Sequence, residues 1–360
     1  MSKLDNSVRV ARKRIGFLGV GWIGRHRLES LAKGEMLEVA AIADPLPEAA
    51  RKAAECAPHA ELCGSLDELL QCGLDAVVIA TPSALHAQQS ISALQCGLAV
   101  FCQKPLGRSF AEAASVIDAA RKADRLLAVD LSYRHLRGIQ SIRGLIRSGE
   151  IGEVFSVNLV FHNAYGPDKP WFYEPEKSGG GCVIDLGIHL VDLALWTLDF
   201  PRVRRVSSRL FAKGKPLADR LESVEDYAAA QLTLESGAVV TLACSWHLSA
   251  GCDAVIEASF YGTAGTLSLM NVNGSFYDFQ AELFRGTSRQ VIAKPPDEWG
   301  GRAALEWAWQ LAENSRFDPA VEQVAAVAAV LDEIYEHSAL SIFEGEHVWQ
   351  GNPGKPPIMT

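Results

Sequence analysis

Cysteine pairs at C-x-x-C spacing are absent from this sequence, as are internal repeats, low-complexity tracts and any surplus of basic residues. The eight cysteines, Cys56, Cys63, Cys72, Cys96, Cys102, Cys182, Cys244 and Cys252, are scattered, and several fall in apolar runs. That pattern favours buried, reduced thiols over a disulfide framework or a structural zinc. Lysine and arginine number 34 against 43 acids, a formal net charge of −9. A nucleic-acid or anionic-membrane surface needs a basic footprint, so neither partner is expected. No apolar run is long enough to cross a bilayer. Met1 to Arg14 is polar and basic, lacks the apolar core of a secretory signal, and reads as a frayed leader. A cytoplasmic location follows as the expectation. The 360 residues, 48% of them hydrophobic, suffice for two domains with real cores.

What is present is concentrated at Arg14-Ile15-Gly16-Phe17-Leu18-Gly19-Val20-Gly21-Trp22-Ile23-Gly24. It reads as a buried strand, a tight turn and the opening of a helix. Gly19, Gly21 and Gly24 give G-x-G-x-x-G: one glycine for the turn, one for close approach to a pyrophosphate, one for helix–strand packing. A second apolar strand, Leu37 to Ala43, ends in Asp44, near the spacing of about 20 residues at which a carboxylate meets an adenosine ribose. Dinucleotide binding by Gly19, Gly21, Trp22, Ile23, Gly24 and Asp44 is the reading. The carboxylate, with Pro45 and Leu46 rather than a cation beside it, favours NAD over NADP.

The first third alternates strands and helices, the pattern of a doubly wound parallel sheet. Helices are expected over 46–55, 66–71, 84–96 and 110–123, with strands over 61–63, 75–80, 99–102 and 126–129. Near Asp130 the pattern changes. A helix at 138–148 precedes strands at 153–161, 203–211, 226–234, 238–245, 254–261 and 265–270, with one helix, 183–198, among them. The fold class is therefore an α/β Rossmann domain, residues 1–130, followed by an α+β domain, residues 131–360, with a large, mainly antiparallel open sheet. The closing helix, 319–340, is expected to pack near the junction.

Polar groups at strand ends and on the buried helix are the candidates for chemistry. Thr81-Pro82 and Gln103-Lys104-Pro105 each follow an apolar strand, where ligands of open α/β sheets bind. Pro105 restricts the backbone of Lys104 and so aims its ammonium, which could polarise a hydroxyl or relay a proton. The bland alternative is a solvated lysine. Asp185 and His189, at i and i+4 after Ser178-Gly179-Gly180-Gly181, share a helical face. A carboxylate there would orient the imidazole as a base. Their helix is otherwise apolar, and buried polar groups need a reason. A bracing pair is the structural alternative; a metal site lacks a third ligand. Asp192 continues that side as a structural partner. His86 could touch the cofactor or merely cap its helix. Tyr133, His162, Asn163 and Trp171 lie at a strand end, a junction and a long loop, where they would suit a polyhydroxylated ligand or ordinary packing.

Together these motifs resemble the Gfo/Idh/MocA oxidoreductases, which include glucose-fructose oxidoreductase and inositol 2-dehydrogenase, over nearly the whole chain. The combination of Lys104-Pro105 with Asp185-x-Gly187-x-His189 is the specific part. The resemblance implies a catalytic set of Lys104, Asp185 and His189 and a sugar, sugar-derivative or cyclitol substrate. It also implies a homo-oligomer, dimer or tetramer, formed through the open face of the C-terminal sheet. Two residues depart from the family pattern: Gln103 stands where Glu is usual, and Ser83 where Asn is common. The expected activity is an NAD-dependent dehydrogenase acting on a CH–OH group. An NADPH-dependent reductase of a keto-sugar or imine is the alternative within enzymes. A non-catalytic dinucleotide-binding regulator, which need not keep the lysine and histidine, is the alternative outside them.

Overall fold

The apolar run from Ile15 forms the inner part of strand β1 (Lys13–Leu18), and the first third of the chain is laid beside it. In this computed structural model, residues 12–34 and 36–338 are described. Lys13 and Arg14, expected in a leader, already belong to the strand. The Lys13 ammonium and the Arg14 backbone N–H both donate to the Asp75 carboxylate, at 2.9 and 2.8 Å.

From β1 the chain runs through α1 (Trp22–Lys33), β2 (Leu37–Ala43), α2 (Pro47–Ala54), β3 (Glu61–Cys63) and α3 (Leu66–Leu69). It continues through β4 (Ala76–Ile79), α4 (Ser83–Gln95), β5 (Ala99–Cys102), α5 (Phe110–Ala123) and β6 (Leu127–Val129). All six strands are parallel, in the order β3-β2-β1-β4-β5-β6. Strands β4 and β5 are wholly buried, as their unbroken apolar runs require. The strand order reverses between β1 and β4, and this opens a crevice at their carboxyl ends.

The second sheet begins after α6 (Arg137–Arg147) with β7 (Val154–Asn163). A short α7 (Pro175–Ser178), a π-helical turn over Val183–Gly187 and α8 (Ile188–Thr197) follow. Then come β8 (Val203–Ala212), β9 (Lys215–Pro216), β10 (Tyr227–Leu234), β11 (Val239–Ser245), β12 (Ala254–Gly262), β13 (Gly265–Asn271), β14 (Phe279–Arg285) and β15 (Ser288–Ala293). The nine strands lie in the order β15-β14-β13-β12-β7-β11-β10-β8-β9. Neighbours are antiparallel except β7 and β11, which run parallel. A parallel pair needs a long crossover, and the segment carrying α8 supplies it. Strands β14 and β15 extend the sheet beyond the sequence reading. Glu282, fully buried in β14 and paired with Arg289 at 2.6 Å, interrupts the apolar signal there.

Helices α6 and α8 pack on one face of this sheet. Ser156, Asn158, Gln231 and Thr241 alternate with the core residues of their strands and so present small and polar groups on the opposite face. Pro175–Thr197 passes for a membrane-crossing helix by length and composition alone, but 89% of its apolar 18-residue window is buried inside the fold, as a core helix is.

Two late helices return to the first sheet. Helix α9 (Arg302–Glu313), missed in the sequence, places Ala304, Trp307, Ala308 and Leu311 in one core with Ile15, Phe17 and Phe101. The rings of Trp307 and Phe101 are 5.4 Å apart. A 3-10 turn over Pro319–Glu322 leads into α10 (Gln323–Glu336). Val321 and Val324 join the core on the other face of the first sheet, while Val327, Val330, Leu331 and Ile334 join that of the second. Residues 339–340 of the expected closing helix lie outside the described residues. The first sheet ends with β6 at Val129 and the second begins with β7 at Val154, but the covering of the first sheet is completed from the far end of the chain.

Candidate active site

The turn from β1 into α1 is shaped by close approach. Gly19 has φ +83°, and a Cβ on it would lie 2.7 Å from the Ala80 carbonyl oxygen. A Cβ on Gly24 would lie 2.2 Å from the Gly19 carbonyl oxygen. Gly21 is different: a Cβ there would meet nothing within 4 Å. Gly19 and Gly24 thus close the turn, and Gly21 leaves room in front of the α1 N-terminus, whose first turn holds no acid. Helix dipole and free N–H groups make this a place for a phosphate. Ile23 lines the same space, and Trp22 stands 71% exposed at its rim. At the end of β2, Asp44 accepts the Val20 N–H at 2.8 Å and the Leu46 N–H at 2.9 Å, which fixes its carboxylate at the cleft. Pro45, Gly64, Ser65 and Leu66 also line the cleft, and none of them is a cation.

The cleft, of about 870 Å³, runs from Asp44 past the glycine turn to Lys104, Asp185 and His189. Thr81, Pro82, His86 and Gln103 line it between those ends. The Thr81 hydroxyl donates to Gln89 Oε1 at 2.6 Å. His86 is 1% exposed and its two ring nitrogens lie 2.6 Å from the carbonyls of Pro105 and Thr81, so it joins the ends of β4 and β5. Burial lowers its pKa. A cis peptide links Lys104 and Pro105.

At the inner end Lys104 Nζ donates to both the Asp185 carboxylate and the Asp185 carbonyl, each at 2.7 Å. Trp246 Nε1 donates to the other carboxylate oxygen at 3.1 Å. The expected Asp185–His189 hydrogen bond is not formed. The helix is π-wound over Val183–Gly187, so Asp185 turns to Lys104 and Trp246, and residues four apart no longer share a face as they do in an α-helix. His189 is 8% exposed, its Nδ1 is enclosed without a partner, and its ring lies 4.8 Å from that of Tyr133. Burial, then the charge of Lys104, push its pKa well below 6.5. The imidazole is neutral. Asp192, fully buried, pairs through both oxygens with Arg134.

Asn163, Trp171 and Tyr133 line the cleft, but His162 does not. Its neighbour Phe161 points inward to Tyr133, so strand alternation turns His162 to the other face, where it stacks on Tyr227 at 5.9 Å. Asn163 Oδ1 is buried without a partner. Trp171 stacks on Phe172 at 3.8 Å. Tyr133 is buried, which raises its pKa. Sequence reasoning missed Trp246, one residue past β11, and Glu225. Glu225 is fully buried and accepts the N–H groups of Gly181 and Val183, at 3.0 and 2.9 Å, and the Tyr335 hydroxyl at 2.9 Å. It anchors the glycine loop that delivers Asp185. A group with metal-ligand character, Glu61, Cys63 and Cys72, lies at β3 and beyond α3 rather than beside His189.

Two family models match the chain. Residues 13–131 match an oxidoreductase family with an NAD-binding Rossmann fold, and residues 139–268 match the GFO/IDH/MocA C-terminal domain. A putative UDP-kanosamine synthase oxidoreductase subunit of Amycolatopsis mediterranei (strain S699) is 31% identical over 345 residues, 89% of this chain and 95% of that protein. The D-glucoside 3-dehydrogenase of Escherichia coli (strain K12) is 28% identical over 227 residues, 60% of this chain, and the match spans only 64% of that enzyme. A levoglucosan dehydrogenase solved in complex with NADH shares the fold, with a TM-score of 0.78 and 21% identity over 91% of this chain and 97% of that one.

Proposed function

Because this chain belongs to the Gfo/Idh/MocA oxidoreductases, we propose that it is an NAD-dependent dehydrogenase. Its substrate is a sugar, sugar acid or inositol-type polyol, oxidised at one hydroxyl. The observation that carries the reading is the meeting of Lys104, Asp185 and His189 at the inner end of a cleft whose outer end is the glycine turn.

Bound NAD⁺ supplies the hydride acceptor. The chain supplies position and proton handling. The open space at Gly21 fits a pyrophosphate, and the fixed Asp44 carboxylate accepts from a ribose diol and repels a 2′-phosphate. Lys104, held by the Asp185 carboxylate and carbonyl, directs its remaining N–H to the substrate oxygen. His189 is neutral and its Nδ1 is enclosed, so Nε2 takes the hydroxyl proton. The unpartnered Asn163 side-chain oxygen Oδ1 and the Trp171 ring suit the hydroxyls and the apolar face of a sugar ring. The open face of the nine-stranded sheet is the surface for assembly into a homo-oligomer.

The test is absorbance at 340 nm with NAD⁺, then NADP⁺, against a panel of aldoses, glycosides, aldonic acids and inositols. NAD-linked turnover of one stereochemical group is the expected result. Silence across the panel with NAD still raising the melting temperature would overturn the proposed substrate class and leave two readings, a modified sugar outside the panel or a non-catalytic binding protein.

A further inference from the structure

Beneath the inner half of the cleft lie buried charges that the chemistry above does not use. Arg27, 4% exposed, donates from Nε to Asp130 at 2.5 Å, and from Nη2 to the Ser132 hydroxyl at 3.0 Å. Its Nη1 lies 2.8 Å from His26 Nδ1. The Ser132 hydroxyl donates to the other oxygen of Asp130, which is 1% exposed. Among the described residues, the third side-chain donor to Asp130 is Gln103, through Nε2. One buried cation and one buried anion thus cancel, and the residue at 103 completes the shell of the anion.

This geometry explains the amide at 103. A carboxylate there would face the Asp130 carboxylate with a single arginine between them, and a like pair so close and so dry is strongly disfavoured. The amide donates instead. With its N–H₂ arm on Asp130, its carbonyl arm is the one left for the cleft that Gln103 lines. The position therefore offers a hydrogen-bond acceptor without a charge, one residue from Lys104. One cleft joins Asp44, Gly21 and Gln103, so a dinucleotide with its adenosine ribose at Asp44 and its pyrophosphate at Gly21 would bring its nicotinamide end toward this place. The oxidised ring is cationic and the reduced ring is neutral, so a charge here separates the two forms while a dipole scarcely does.

We propose that Gln103, held by the Asp130–Arg27 pair, sets the relative affinity for oxidised and reduced cofactor, and tilts binding toward the reduced form by withholding a carboxylate. This rests on the reading of the cleft as a nicotinamide dinucleotide site. The test is direct titration of NAD⁺ and NADH, followed by protein and NADH fluorescence, with no substrate present. In Gln103→Glu at pH 8.5 the ratio Kd(NAD⁺)/Kd(NADH) should fall on the order of tenfold, from a Coulomb term across a partly screened cleft. The double variant Gln103→Glu/Asp130→Asn keeps one carboxylate for Arg27 and moves it to the cleft side, so its ratio should fall too, by less. It decides the matter if the single variant does not fold. Ratios within twofold of the parent in a folded variant would overturn the proposal while leaving the dinucleotide reading intact. Failure of the parent protein to bind either form would overturn both.

Discussion

Replacing Lys104 by methionine separates chemistry from binding. The change keeps the length of the side chain and removes one ammonium. Two hydrogen bonds of 2.7 Å are lost, both to Asp185, and among the described residues the carboxylate keeps the Trp246 indole donor at 3.1 Å. Both partners are partly shielded, with 20% and 16% of their side chains exposed. Full burial of an unpaired charge would cost about 3–5 kcal/mol. With solvent access and Trp246 still in place, about 1–3 kcal/mol of stability is the expected loss. The catalytic loss is larger. A positioned group that handles a proton contributes about 10²–10⁴ in rate, or roughly 3–5 kcal/mol of barrier at 1.36 kcal/mol per factor of ten. The reduced nicotinamide ring carries no charge, and Gly21 and Asp44 at the other end of the cleft are untouched, so NADH affinity should change by less than about threefold, under 1 kcal/mol. The assay is kcat at 340 nm on the substrate the panel identifies, beside NADH titration and urea unfolding of the same preparation. A kcat within tenfold of the parent, with cofactor affinity intact, would refute the role given to Lys104. A parallel fall in kcat and NADH affinity would mean that the lysine holds the cleft together instead.

Gly24→Ala forces a methyl group to 2.2 Å from the Gly19 carbonyl oxygen, so the turn must open. Loss of measurable NADH binding and a melting temperature lowered by several degrees are expected, read by titration and calorimetry. Asp44→Ala removes the fixed carboxylate at the adenosine end, and NAD affinity should drop about tenfold while NADP affinity rises or holds, measured as the ratio of the two dissociation constants. His189 has a folded-state pKa below its ordinary 6.5, so the unfolded chain takes up a proton that the folded chain refuses as pH falls through 6.5. Its contribution is present above that value and is lost below it, at up to about 1.4 kcal/mol per pH unit. Urea unfolding at pH 7.5, 6.0 and 5.0 should show a shallower acid-side decline in His189→Phe than in the parent. Equal slopes would refute the neutral, buried imidazole.

The first sheet was readable because its signals are local. Leu37–Ala43, apolar but for Glu38, and Ala99–Cys102 are short apolar runs that stop at Asp44 and Gln103, and their limits match the sequence reading. The glycine spacing likewise carries its own geometry. What failed depends on contacts between distant segments. Residues 279–293 hide two strands because Glu282 finds Arg289 only across a hairpin. Helix α9 has an apolar stripe, but nothing in residues 302–313 announces a partner near residue 101. At the site, the types and positions of Lys104, Asp185 and His189 were legible, and their pairing was not. Spacing of four assumes an α-helix, and the π-wound turn over Val183–Gly187 sends Asp185 to Lys104 and Trp246 instead. His162 shows the same limit: placing it on the inner or outer face requires the register of β7, which Phe161 decides.

The covering of Phe101 by Trp307 has a consequence in time. A ribosome adding about 5–20 residues per second needs roughly 10–35 s to travel from the last strand of the first sheet to the end of α9. During that interval the six strands can align, but the face bearing Ile15, Phe17 and Phe101 waits for Ala304, Trp307 and Leu311. The nascent chain therefore emerges with one flank of its oldest sheet lacking part of its cover, and that sheet is completed almost last.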